Sequence, residues 1–438
     1  MSIDNGATCM VAAESSFGST DATDARALAD ATIGGLTAYS LRTTKDSWGS
    51  AAGALKQLTF DRNDITLQGG RSPLQVAAAI ASGGPVVSIQ GEIPLTFEAR
   101  GFGSTAPLST ALGLLLASGL AHTLRTPGTS CTATEATANT FTVGGGDAGK
   151  FAAGDVISVS QTDGTCRFCY VTQVSGTTIT TLEPHGIPDT ETALVRQCHM
   201  FWAPTDNEAD GSSLVVQLAP KDAEHTLVCV GARLAKVGIS VNENTGVDIA
   251  CTVRVPDGEY RDAVVITPTK PLPIGGTGST GLRTRVSPVR VTADVSASSA
   301  PVTATAAAFP VRTWSVEIDI GLIPTDDPAT RSGLSGMRVS DASLSGSVTQ
   351  SAPTSGADFR EVVRLSEKRA ATFTAAGANA AGNGMCVWVG AVEPSEDPGV
   401  TFAERDRTQV IPFRAGDHAH ATGATAYLNR PWILAFTA

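Results

Sequence analysis

The sequence predicts a mainly β protein: strands packed as a sandwich or barrel, one short flanking helix, and a small barrel-like β insertion. Three observations predict it. The first is alternation. Val87, Ile89, Ile93, Leu95 and Phe97 fall on one side of a stretch whose other side carries Ser88, Gln90, Glu92, Thr96 and Glu98. Val247, Ile249, Cys251, Val253 and Val255 oppose Asp248, Thr252 and Arg254. Trp314, Val316, Ile318 and Ile320 oppose Ser315, Glu317 and Asp319. A period of two sends successive side chains to opposite faces of a strand, so each stretch reads as a strand with one buried face. The second is composition: 45 Gly and 23 Pro against 17% charged and 5% aromatic residues favour turns and strands over long helices. The third is the scarcity of helical periodicity, clear only in PLSTALGLLLASG, residues 107–119.

Taken in order, residues 1–35 form an N-terminal arm; 21–35 could close as a short helix, with Asp near its start and Gly at its end. Residues 36–139 are the first part of the main domain. Strand candidates lie at 36–42 and 56–60, a turn at 61–64, and 71–82 reads as either helix or extended chain. The alternating stretch 86–98 is interrupted by Gly91 and Pro94, which predicts a bulge or an edge position. Gly101-Phe-Gly103 breaks it. Pro107 then suits the first position of a helix, Leu108, Leu112, Leu115 and Leu116 recur at helical spacing, and Gly119 marks its end.

Residues 140–190 are a self-contained β insertion with strands at FTV, DVISVS, RFCYVTQV and TTITTL and Gly-rich turns between them. Residues 191–438 complete the main domain: HMFWAP, SSLVVQLAP, a long strand over 225–242 with a Gly-Ala-Arg break, and the tight turn Glu243-Asn-Thr-Gly246 into 247–255. A Gly/Pro/Thr loop at 268–288 and a Ser/Ala/Thr-rich stretch precede strands at 309–322 and 337–349; 359–376 reads as helix then strand. NGMCVWVGAVEP, TQVIPFRAG and RPWILAFTA end the chain as short strands.

The net charge of −11 disfavours non-specific nucleic-acid binding, which depends on Lys and Arg at phosphates. No apolar run reaches the roughly 20 residues of a membrane helix. The start lacks the basic and apolar regions of a signal peptide, so cytoplasmic synthesis is expected. The eight cysteines are scattered, several in strand patterns where a thiol acts as a small hydrophobe, which points to a reducing compartment.

Few residues suggest chemistry. Cys166-Arg-Phe-Cys169 with Cys198-His199 could sketch a zinc site, but the strand-like setting favours buried thiols. His418 and His420 share a spacing that can bind metal from a strand, without a third ligand in view. Asp206, Glu208 and Asp210 lack the terminal Glu of a calcium loop. GGGDAGK at 144–150 lacks the ending of a phosphate loop, and there is no GxSxG or HExxH. The expectation is a non-enzyme with no metal and no cofactor.

The order of elements resembles the major tail tube proteins of long-tailed bacteriophages of the siphophage type. The resemblance lies in the strand-turn-helix at 86–119, in HTLVCVGARLAKVGISVNENTGVDIACTVRV at 225–255, and in the series VRTWSVEIDIGL, GLSGMRVSDASLSGSVT and TQVIPFRAG. It covers most of the chain beyond residue 80 except the insertion, which departs from the smallest members. It implies a tail-tube-type β-sandwich with a flanking short helix, and a structural virion protein of the phage tail, made in the host cytoplasm. Subunits would form rings, six to a ring, stacked into a hollow conduit for DNA. Partners would be other copies of the chain and the tail tip, terminator and tape-measure proteins, with no membrane. DNA would pass without specific binding. Glu92, Thr96, Glu98, Glu317 and Asp319 are the lumen-facing candidates, since carboxylates repel a phosphate backbone; an ordinary solvated sheet face would carry the same pattern. Arg254 runs against that reading unless a carboxylate pairs with it. The alternative is a β-rich phage adhesin or a capsid-surface decoration protein.

Overall fold

The fold is given by a computed structural model. It describes residues 91–99, 101–103, 106–161, 166–189, 191–204, 213–219, 225–241, 247–262, 282, 289–292, 303–309, 311–326, 334–351, 359, 369–376, 383–395, 400–402, 407–416 and 430–438, with short strands at 2–3, 8–13, 56–58, 65–66 and 68–69. The sequence readings at 14–55, 71–82 and 268–281, the acidic loop Asp206–Asp210, and His418 and His420 lie outside the described residues.

In chain order the early strands are β1 (Ser2–Ile3), β2 (Thr8–Ala13), β3 (Lys56–Leu58), β4 (Ile65–Thr66), β5 (Gln68–Gly69) and β6 (Gly91–Glu98). A 3-10 turn at Pro107–Ser109 and helix α1 (Ala111–Ala117) follow. Then come β7 (Ala121–Thr123), β8 (Ser130–Thr137), β9 (Thr140–Val143), β10 (Val156–Ser160), β11 (Cys166–Ser175), β12 (Thr178–Thr181) and β13 (Thr192–Trp202). Next are β14 (Leu214–Ala219), β15 (His225–Val241), β16 (Val247–Val255), β17 (Asp257–Asp262), β18 (Val289–Thr292), β19 (Ala306–Phe309), β20 (Val311–Asp326) and β21 (Leu334–Ser351). The last are β22 (Ala371–Ala376), β23 (Gly384–Val389), β24 (Val392–Pro394), β25 (Val400–Phe402), β26 (Arg407–Ala415) and β27 (Trp432–Thr437). The protein is thus mainly β: two large antiparallel sheets with one short helix, the first organised around β15.

β15 serves two neighbourhoods. Its first half pairs with β14 and β17, and its second half with β16 and β20. Gly231, at φ 69, and a register shift between Leu234 and Lys236 mark the change; this is the Gly-Ala-Arg break visible in the sequence. From β20 the sheet continues through β21 to β26, and from β16 to β6. The expected alternation holds: Val247, Ile249, Cys251, Val253 and Val255 are buried, as are Trp314, Val316, Ile318 and Ile320. β6 pairs with β16 in unbroken register through Pro94, so there is no bulge there. Its other side meets β5 only at Gly91 and Glu92, which makes it the edge that Pro94 allows.

The second sheet runs β13–β27–β23–β22–β18–β19, with β7 also on β13. Every residue of β23 and β27 is buried. One face, with Phe373, Val387, Leu434 and Phe436, joins the core of the first sheet; Phe373 stacks on Phe413 with centroids 5.0 Å apart. The opposite face, with Cys386, Trp388, Ile433 and Ala435, packs on Phe168, Tyr170 and Leu182. Phe168 and Tyr170 lie on β11, and Leu182 just after β12, of a closed ring of six strands, β10–β11–β12–β9–β8–β13 and back to β10. The ring is filled by Phe141, Phe151, Ile157, Val159, Val171, Ile179 and Val195. Its four internal strands match those read from the sequence between 140 and 190, and β8 and β13, from outside that stretch, close it.

α1 caps the core shared by the two large sheets. Thr110 Oγ1 accepts from Gly113 N at 3.1 Å at its start. The helix stops at Ala117, two residues before Gly119, because Ser118 is tied into β15: its Oγ donates to Leu115 O and accepts from Leu234 N. A Cβ on Gly119 would lie 2.8 Å from Leu234 O, so that glycine serves close packing. Leu112, Leu115 and Leu116 are buried as the spacing predicts. Leu108 is 42% exposed, because it sits in the tighter 3-10 turn ahead of the cap and so leaves the helical stripe.

Candidate functional site

Alternation that buries one face of the first sheet forces the polar residues onto the other, and strand register arranges them in rows. One row runs Thr96, Ala250, Gly238, Glu317, Ser345, Arg414 across β6, β16, β15, β20, β21 and β26. A second runs Glu98, Asp248, Ser240, Ser315, Ser347, Pro412. A third runs Pro94, Thr252, Lys236, Asp319, Ser343. Glu92 stands opposite Arg254 beyond it. All five sequence candidates, Glu92, Thr96, Glu98, Glu317 and Asp319, therefore share one face. Small residues at the centre leave an open trough of about 570 Å³ lined by Thr96, Gly238, Ser240, Asp248, Ser315 and Glu317.

Three ion pairs, in two clusters, are built on the rows. Lys236 Nζ lies 2.5 Å from Glu317 Oε1 and 3.7 Å from Asp319 Oδ1. The hydrogen bond to Glu317, helped by the neighbouring negative charges, holds this ammonium above the ordinary lysine value. Arg414 reaches Glu393 Oε2 at 3.2 Å. Register also sets Arg254 opposite Glu92. Sequence reading passed over Lys236, although stepping back by twos from the apolar Val241, Ile239 and Val237 leaves it on the polar phase with Ser240 and Gly238.

Another set of ionisable groups is buried at seams. Glu183 lies between the ring and the second sheet: Oε1 accepts from Thr372 Oγ1 at 2.9 Å and Oε2 from Tyr170 N at 3.3 Å. Burial raises its pKa, opposed by nearby Arg290. His185 accepts from Ile187 N at Nδ1 and so donates from Nε2 to Thr137 O at 2.8 Å; burial lowers its pKa. His199 accepts from Arg125 N, and burial takes its pKa down to about 4. Arg125 also binds Asp155 Oδ1 at 2.6 Å, and burial raises the Asp155 carboxyl. These are packing contacts; of the groups involved, only His199 figured in the sequence reading, and its partner Arg125 is remote in the chain.

Cys169 and Cys198 are buried and Cys166 is half-buried; all three are free thiols. Burial pushes Cys169 up to about 12 and raises the other two, the opposite of an activated thiolate. Among the described residues no group of three or more His, Cys, Asp or Glu could hold a metal ion, and no helix is long and apolar enough to cross a membrane. No protein-family profile matches the chain, and no curated protein matches it.

Proposed function

We propose that this chain is the tail tube subunit of a long-tailed bacteriophage, a structural virion protein without enzymatic activity. Six copies form a ring, and stacked rings form a hollow conduit for DNA. The observation that carries the reading is the first sheet: long strands, one face in the core, and the other a trough-bearing polar face on which Glu92, Thr96, Glu98, Asp248, Glu317 and Asp319 gather. That face lines the lumen. Glu98 and Asp248 are cross-strand partners in the register.

The sheet also has edges to offer. Among the described residues β6 has no strand beyond Ile93–Glu98 on its outer side, and β24 and β25 leave Val410–Pro412 of β26 uncovered. Joining such edges between copies hides them from unwanted pairing and closes a ring when repeated by rotation. β20 and β21 run on as a two-stranded ribbon beyond the residues that β15 and β26 cover, with Ile323 55% exposed. A lone ribbon is marginal in water, and in the assembly it meets a neighbouring copy. The six-strand ring is then a barrel-like decoration on the outside of the tube. Tail tip, terminator and tape-measure proteins are the further partners, and the virion is the location.

The test is negative-stain electron microscopy of the full chain expressed alone, then with tail-tip components added, beside a size-exclusion profile. Hollow tubes or stacked rings are expected, and Ile323→Asp is expected to abolish them without lowering the melting temperature. Discrete trimers or fibres would replace the reading with an adhesin or a capsid-surface decoration protein. A monomer that stays unassembled beside tail-tip components would overturn it.

A further inference from the structure

Lys236 occupies an unusual place on the polar face. It is 40% exposed in the middle of the sheet, in the row next to the trough, where a polyanion crossing the strands would meet it. Two carboxylates close on it from one strand. Asp319 is its direct cross-strand partner. Glu317 lies one row along, opposite Gly238. Because Gly238 has no side chain, nothing on β15 occupies the diagonal between Glu317 and the Lys236 ammonium, and diagonal neighbours are within reach of a long side chain. The result is one cation held by two anions, at 2.5 and 3.7 Å.

Exposed ion pairs add little to stability. A three-charge cluster at this spot needs another explanation than holding the sheet together. Of the other described cations of the face, Arg414 also forms an ion pair, with Glu393, and Arg254 stands opposite Glu92 in the register. We infer that Glu317 and Asp319 are specificity-determining residues that mask Lys236, so that the face lets a nucleic-acid backbone pass without holding it. This rests on the tube reading for its purpose, but the masking itself is a property of the single chain. Phosphate affinity comes from free Lys and Arg displacing counterions; a lysine already neutralised on two sides displaces few.

The experiment measures binding of a short fluorescent duplex DNA to the full chain by anisotropy, over a salt series. Three variants are compared with the wild type. Glu317→Gln/Asp319→Asn unmasks the lysine. Asp189→Asn/Glu191→Gln makes the same change in net charge at two exposed residues beside the ring. The third adds Lys236→Gln to the unmasking pair. Unmasking is expected to raise DNA affinity roughly tenfold at low salt over both wild type and the charge control, with a steeper salt dependence, and the added Lys236→Gln to return it to the control. An unmasked variant no tighter than the charge control overturns the inference, and so does retention of the gain without Lys236. Micrographs of the same samples separate the two ideas. A DNA gain in a chain that forms no tubes removes the lumen and keeps the mask; tubes without a gain keep the lumen and remove the mask.

Discussion

The two large sheets solve the burial problem in different ways. The first sheet has one wet face, so its strands alternate: Trp314, Val316, Ile318 and Ile320 go in, and Ser315, Glu317 and Asp319 go out. The central strands of the second have none. The first sheet covers one of their faces and the six-strand ring the other, so GMCVWV and WILAFT are buried at every position. A sheet covered on both sides reads as a continuous apolar run, as parallel sheets do, although this one is antiparallel. The difference teaches where sequence change is tolerated: every second residue of the first sheet is free to carry charge and function, while the central strands of the second are all packing.

The comparison breaks most visibly at Trp388, which stacks on Tyr170 of the ring with centroids 4.1 Å apart. Trp388→Ala is expected to cost ~3–5 kcal/mol in a denaturant titration, while Ser315→Ala on the wet face should stay within about 0.5 kcal/mol. A loss at Trp388 no larger than at Ser315 would mean that the ring does not cover the sheet.

Acid should weaken the doubly covered sheet through His199. Its value is 6.5 in the unfolded chain and about 4 when folded, so the unfolded state binds the proton first. Its contribution is whole above 6.5 and is lost as pH falls toward 4, at ~3 kcal/mol. The raised carboxyls of Asp155 and Glu183 act in the opposite sense, so the measurement is the difference in melting temperature between wild type and His199→Leu across that window. A difference that does not change with pH would sink the idea.

Smaller effects sharpen the picture. Thr110→Ala removes the cap that starts α1 and should cost ~1 kcal/mol, read as a lowered melting midpoint. Glu317→Gln should move stability by less than about 0.5 kcal/mol, since the Lys236 pair is exposed; a large loss would make the polar cluster structural.

Much of the first sheet was legible. Period two assigned the faces of 247–255 and 314–320 residue by residue, and Pro94 marked an edge. The turn chemistry that announced a strand reversal after residue 241 was right about the pairing, since Val241 stands opposite Val247. Gathering five candidates on one face needed register as well, which alternation leaves undetermined. The second sheet was harder. An apolar run such as WILAFT says that a strand is buried, not what buries it. The four inner strands of the ring were visible from their turns, but its closure depends on β8 and β13, which look like any other strands in sequence. Lys236 escaped notice because charge in an alternating stretch is ordinary, and only the diagonal across Gly238 makes it distinctive.

β13 has a consequence for anyone wishing to trim this protein. Its first half closes the six-strand ring, with Leu194 and Val195 beside β8 and β10, and its second half, from Cys198, pairs with β27 in the second sheet. The ring is thus spliced into its host rather than hung from it. A shortened chain that drops the ring must be cut ahead of Cys198, and it must still bring a strand to β27 and an apolar cover to Trp388. Excision at the turns that look natural in the sequence would leave Trp388 and Ile433 facing water, and the shortened chain would gain a sticky surface in place of its ornament.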